Sequence, residues 1–472
     1  MASARPAATG RDLKFVAIGQ NRTQNLVRQS GQILLNVAHL ARGVLCSREK
    51  MATSQDGRQA MLKRRLFALF LASACASGPT FAEVDEGDLC KHFGYPVGTT
   101  KTFFADCYRV GAWSNLDKLF AHNTAQPASI PFALKVGAPL GEIRYKNPKG
   151  EGELTLEDYL ARFRVTTFIV LKDDAIVFER YQYERQPAQL MLSMSVSKTI
   201  LGVLVGLALE DGHFKSLGER VVDVLPDFTD SAFADDTLED LLRMSSGAKT
   251  TMHTGAGTAF DHPGADNIVI NPLVSPRADV RAFLRGRTER VASHGTDFNY
   301  SSTVTALIGL MLRERVGTPL TAYLEKRLWQ PMGAQSRAIW IKNKMGVEGV
   351  QGHFAATAHD YARFGYLLMN GGLVNGRQVV PSEWVKQMTT VRRDKPQPVP
   401  SPYYGLQTWI PVAGGGRGMA WGQDGQFIMF DPLARTVIVQ TAVGKGGWRE
   451  GLPHLVQLRD AIARKLATRA EK

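Results

Sequence analysis

From Leu192 to Gly212 the chain is apolar almost throughout, with Ile200, Val203, Leu204, Leu207 and Ala208 spread around a helical wheel. So broad an apolar surface does not suit a helix lying on the outside of a protein, and the pattern predicts a buried one. Glu210-Asp211-Gly212 closes it, where glycine suits a left-handed cap. β-Branched and apolar residues fill Arg164 to Leu171, Lys172-Asp173-Asp174 supplies a turn, and Ala175 to Tyr181 returns as a hairpin partner. Helical periodicity recurs at Leu238–Met244, Val304–Leu312, Leu320–Leu328 and Ala358–Met369, and Pro381 opens a further helix. Strand patterns come back at Tyr404–Ile410, Phe427–Phe430 and Thr436–Val443, followed by a last helix, Leu452–Leu466. Strands at both ends with helices between them predict a mixed α/β (α+β) fold. One antiparallel sheet is built from both ends of the domain and flanked by helices, with a mainly helical lobe inserted.

The formal charge of +13 over 472 residues raises nucleic acid as a partner. Its distribution argues against that. Residues 1–82 carry 12 Lys/Arg against 3 Asp/Glu, whereas the remainder carries 45 against 41. A body so near neutrality has no phosphate-binding bias. Residues 61–82 hold the three parts of a signal peptide. Met61-Leu62-Lys63-Arg64-Arg65 is basic, Leu66–Ala76 is a short apolar run, and Thr80-Phe81-Ala82 offers a cleavage site. We therefore expect residues 1–60 to be an over-extended or disordered N-terminus, with translation starting at Met61 and the mature chain near Glu83. An anchored arm is the alternative for residues 1–60. The apolar run is too short to span a bilayer, so no transmembrane anchor is expected after cleavage. The expected location is periplasmic or secreted. Lipid attachment at Cys75 is disfavoured by Ala72 three positions earlier.

Export would leave only Cys90 and Cys107, a pairing that favours a disulfide, with free buried thiols as the alternative. No CxxC or HExxH spacing occurs among the cysteines and ten histidines, so neither a metal nor a cofactor is expected. Five prolines interrupt residues 83–150, which read as an extension packed on a main domain at 151–468.

Ser195 and Lys198 stand at the head of the buried helix, three apart and hence on one face of its first turn. A serine hydroxyl needs a base to become a nucleophile. A lysine becomes that base when burial removes its charge. Backbone N–H groups at a helix start suit an oxyanion. Ser47/Lys50 and Ser246/Lys249 share the spacing, but neither opens an apolar helix. Tyr300-Ser301-Ser302 adds a phenol about a hundred residues on, and beside a lysine ammonium its pKa is expected to fall so that it shuttles a proton. Trp421-Gly422-Gln423 precedes Asp424-Gly425-Gln426 and the last hairpin. No serine sits in Gly-x-Ser-x-Gly, which removes support for an α/β-hydrolase.

On these motifs, residues 150–468 resemble the serine β-lactamase-related superfamily. It includes class C β-lactamases, D-alanyl-D-alanine carboxypeptidases, family VIII esterases and 6-aminohexanoate-dimer hydrolases. Leu241–Gly247, Asp360–Gly365 and Tyr404-Gly405-Leu406 extend the resemblance, and the Gly-x-x-Gly-Gln stretch before the last hairpin brings it nearest the 6-aminohexanoate-dimer hydrolase branch. The resemblance implies a β-lactamase/transpeptidase-like fold and a serine hydrolase working through an acyl-enzyme. Ser195 is then the nucleophile, Lys198 its base and Tyr300 the shuttle, with the N–H groups of Ser195 and Gln423 as the oxyanion hole. Ser302, Trp421, Gly422 and Asp424 are pocket candidates, and the loops 249–276 and 392–403 are candidate pocket walls. Where many relatives carry Lys-Thr-Gly to hold a substrate carboxylate, Trp421-Gly422-Gln423 offers neither cation nor hydroxyl, which favours a small linear amide or an ester over a β-lactam. A carboxypeptidase, or a penicillin- or cell-wall-binding module that merely kept the scaffold, is the competing expectation.

Overall fold

Strands from both ends of the chain hydrogen-bond into a single eight-stranded sheet in the computed structural model, which describes residues 86–250, 279–397, 402–444 and 450–470. The expectations for residues 1–85, including the signal peptide, Cys75 and the new N-terminus, lie outside the described residues, as do 251–276 and 398–401 of the candidate pocket loops. The sheet's strands are β1 (Lys135–Val136), β2 (Val165–Lys172), β3 (Ala175–Tyr181), β4 (Tyr403–Tyr404), β5 (Trp409–Ile410), β6 (Gly418–Gly422), β7 (Gln426–Asp431) and β8 (Thr436–Ala442). Their order is β4-β5-β6-β7-β8-β2-β3-β1. All neighbours are antiparallel except β1, which lies parallel to β3 on the edge.

Side chains alternate across a strand, and here both faces are covered. Ile169, Leu171, Ile428, Phe430, Val437 and Val439 join one core with the helices α3 (Val196–Glu210), α4 (Ser302–Val316) and α5 (Ala358–Met369). Phe168, Val170, Phe427, Met429 and Ile438 join another with α2 (Leu156–Arg162) and the C-terminal α6 (Gly451–Ala470). Residues Val196 to Ala208 of α3 are all buried, as the apolar pattern requires, and Gly212 after it takes a left-handed φ of 77°.

One reading of the sequence needs correction. Tyr404–Ile410 is not one strand but a tight reversal between β4 and β5. Gln407 sits at φ 52° and Gly405 N–H donates to Thr408 O across 2.8 Å. A Cβ on Gly405 would lie 2.0 Å from the Met388 carbonyl, so the backbone turns where only glycine fits.

Residues before 151 enter the same body. His122–Ala125 pairs with Ala338–Ile341 in a second, four-stranded sheet that also holds Phe354–Ala356 and Met191–Leu192. Helix α1 (Asp106–Ala112) is bonded through Cys107 to Cys90, with Cα atoms 4.8 Å apart.

Candidate active site

Met191–Leu192, the edge strand of the second sheet, delivers the chain to the head of α3. Met194 takes a left-handed φ of 46°, a conformation that surrounding packing must enforce on a non-glycine residue. Ser195 follows as the residue before the helix, but its side chain does not cap it. Its Oγ lies instead 2.9 Å from Lys198 Nζ. Lys198 also donates to the Gln351 carbonyl at 2.7 Å and to Ser302 Oγ at 3.2 Å. The lysine is 1% exposed, and burial, with no carboxylate beside it among the described residues, is what acts on its charge. Burial alone lowers its pKa to about 7, which brings the free amine within reach near neutrality.

Tyr300 precedes α4. Its ring centroid lies 5.2 Å from Lys198 Nζ and 5.2 Å from the Trp409 ring, and the Ser195 and Trp409 side chains favour its ionised form. The expected fall in its pKa does not occur. Burial raises the phenol to about 12, because a lysine that is itself discharged by burial offers no cation to offset desolvation. Tyr300 is therefore a neutral phenol that can accept a proton on one lone pair while giving up its own.

The turn after β6 closes the other side. A Cβ on Gly422 would lie 2.4 Å from Ser193 O and 2.9 Å from Met194 Cβ, so the strand end rests directly on the segment leading to Ser195. Gln423 is the next residue in the chain after that contact. Trp421 is half-buried and stacks on Phe427 at 5.8 Å, while Trp409 stands next to it at 5.3 Å and contacts Tyr300 at 5.2 Å. Trp409 thus stands in contact with both Trp421 and the phenol. Asp424 is a correction: its carboxylate is not a pocket wall. The side chain is 2% exposed and turned onto Arg109 Nη1 at 3.3 Å, in a residue held at φ 58°.

This arrangement hydrogen-bonds a buried amine to a serine hydroxyl at a helix head and sets a neutral phenol beside them. A family model described as Beta-lactamase matches residues 155–451. The chain belongs to that family. A curated relative, the 6-aminohexanoate-dimer hydrolase of Paenarthrobacter ureafaciens, is 25% identical over 295 residues, covering 60% of this chain and 74% of the relative. Among solved structures, a Bacillus anthracis protein provisionally named a 6-aminohexanoate-dimer hydrolase superposes with a TM-score of 0.69 at 22% identity, covering 78% of this chain and 97% of the other. The penicillin binding protein of Bacillus halodurans gives 0.51 at 16%, covering 64% and 99%. These likenesses establish the β-lactamase/transpeptidase-like fold, and the family and its relatives point to a hydrolase.

The sequence reading did not single out Trp409, Gln351 or His353. His353 is 2% exposed with no partner on either ring nitrogen, and burial, followed by the charge of Lys198, depresses its pKa to about 3. A neutral ring there adds no charge beside the lysine. Among the described residues no cluster of side chains suits a metal ion, and no helix is long and apolar enough to cross a membrane.

Proposed function

We propose that this protein is a serine hydrolase of small amides or esters that works through an acyl-enzyme on Ser195. The observation that carries this reading is the buried, carboxylate-free Lys198 amine 2.9 Å from Ser195 Oγ. In the neutral state Lys198 takes the hydroxyl proton while Oγ adds to the substrate carbonyl carbon. The carbonyl oxygen becomes an oxyanion received by the Ser195 and Gln423 N–H groups. As the tetrahedral centre collapses, the C–N or C–O bond breaks and Tyr300 gives its proton to the leaving group, regaining one from the Lys198 ammonium that took the serine proton. Water then adds to the acyl carbon by the same route in reverse and frees Ser195.

A linear amide or ester fits better than a β-lactam or a D-alanyl-D-alanine stem peptide, because Trp421-Gly422-Gln423 presents no cation for a substrate carboxylate. The relative that acts on the 6-aminohexanoate dimer supports the linear-amide side of this choice. We place the mature enzyme in the periplasm or outside the cell, an oxidising setting in which the Cys90–Cys107 bond persists. The experiment is a turnover screen of p-nitrophenyl esters, 6-aminohexanoate oligomers, nitrocefin and D-Ala-D-Ala peptides with wild type and Ser195→Ala. Ester or linear-amide turnover exceeding nitrocefin turnover by a wide margin, and lost in Ser195→Ala, is expected. Nitrocefin turnover equal to that of the best ester overturns the substrate class.

A further inference from the structure

The segment before the family-matched span reaches the reaction centre. Residues Leu89, Tyr95, Phe103, Val110 and Trp113 form a buried core of their own, and its remaining members include Leu192, Met194 and Val443. Met194 immediately precedes Ser195, and Leu192 N–H donates to Trp113 O at 3.0 Å. The same segment also touches the turn at Gln423–Gly425. Arg109, on α1, is 15% exposed; its Nη1 meets the Asp424 carboxylate at 3.3 Å and also bonds the Gly444 carbonyl. Gly444 N–H in turn donates to Asp424 O at 3.2 Å. One guanidinium therefore joins the turn after β6 to the chain leaving β8. Arg109 is itself held, its Nε donating to Phe104 O at 2.9 Å and its plane lying 5.3 Å from the Trp113 ring. Two residues away, Cys107 is bonded to Cys90.

Asp424 lies in the left-handed region at φ 58°, which aspartate tolerates better than most residues, and the Arg109 contact adds a side-chain restraint there. Its backbone follows directly on the Gln423 N–H. A charge-assisted contact from one guanidinium nitrogen, shared between the Asp424 carboxylate and the Gly444 carbonyl, is a means by which such a turn is fixed. We propose that Arg109 is a positioning residue for the oxyanion turn, holding Asp424 so that the Gln423 N–H faces the reacting carbonyl. This rests on the Ser195 acyl-enzyme reading. Arg109 touches no substrate. Its effect is on the alignment of a donor whose value is realised in the transition state.

The test uses the full chain and a p-nitrophenyl ester. Arg109→Ala is expected to lower kcat about tenfold or more with KM within about twofold, since an oxyanion donor acts on the transition state rather than on ground-state binding. Added guanidinium and the Arg109→Lys variant are each expected to restore part of kcat. Asp424→Asn should show the same loss, and the double variant no further loss, as residues acting through one contact behave. Arg180→Ala, which removes an exposed ion pair with Glu157, should leave kcat unchanged. A folded Arg109→Ala with wild-type kcat overturns the proposal. So does a kcat loss that follows the folded fraction and does not respond to guanidinium. The Ser195 reading is judged separately: turnover surviving in Ser195→Ala overturns that reading, whatever Arg109 does.

Discussion

Two Ser-x-x-Lys sequences lie within the described residues, and they have opposite fates. Ser195 and Lys198 meet at 2.9 Å at the head of a buried helix, and the lysine is nearly sealed from water. Ser246 instead donates to the Asp236 carboxylate and accepts from Ala248 N–H, in a turn where Gly247 sits at φ 78°. Lys249 points away, 43% exposed, with Nζ 2.8 Å from Glu289. The spacing is identical, yet one lysine is stripped of counter-charge and the other is given one. Spacing supplies reach, and the reactive state comes from burial without a carboxylate. A third serine makes the same point. Ser301 precedes α4 as Ser195 precedes α3, but Ser301 Oγ accepts the Val304 N–H and serves as a cap. Ser195 leaves that duty undone, and its oxygen stays available.

The widest separation between the two sites should come from their serines. Ser195→Ala is expected to abolish ester turnover, whereas Ser246→Ala keeps wild-type kcat and loses about 1–3 kcal/mol of stability for the unmet Asp236 bond. Steady-state kinetics and urea melts of both variants read this directly, and equal kcat losses would break the contrast. The lysines come next. Lys198→Ala should cost on the order of a hundredfold or more in kcat/KM, the usual size for a lost base, and Lys249→Ala should cost nothing. Tyr300→Phe belongs with Lys198→Ala in size, since the phenol proton has no substitute.

The pH profile sharpens the comparison further. If Lys198 acts as a neutral base, kcat/KM rises about tenfold per pH unit below about 7 and levels off above it. A profile flat from pH 5 to 9 contradicts this. The smallest effect concerns stability. The unfolded chain holds the Lys198 proton up to the ordinary lysine range near 10.5, and the folded chain only up to about 7. Between those values the unfolded state binds more protons, so this group makes wild-type stability rise with pH across that window, and below it the full penalty for burying the charge is present. Lys198→Met should therefore raise Tm at pH 7 more than at pH 10.5, as thermal melts at the two pH values will show. An equal shift at both would contradict the buried-amine account.

Much of the fold was legible because its signals are local and repetitive. The first hairpin strand at 165–172 and the buried helix at 196–210 are largely apolar runs bounded by turn residues, and the helix at 358–369 follows a period of 3.6. The split of Tyr404–Ile410 was not legible, because it depends on the Met388 carbonyl approaching Gly405 from another helix. The residues that the structure gathers around the serine show the same division. Ser195, Lys198 and Tyr300 carry letters and spacing. Trp409 and the Gln351 carbonyl carry none, since each matters only through the partner that tertiary packing gives it. The Tyr300 pKa was misjudged for a related reason: the sequence presents a lysine neighbour but not the burial that discharges it.

Covalent labelling with a fluorophosphonate, followed by peptide mass spectrometry, tests the central claim most directly. The account predicts one phosphonyl adduct per chain, on the peptide containing Ser195. It also predicts that the adduct forms more slowly below pH 7 and disappears in Ser195→Ala. An adduct on Ser246, or undiminished labelling of Ser195→Ala, would contradict it.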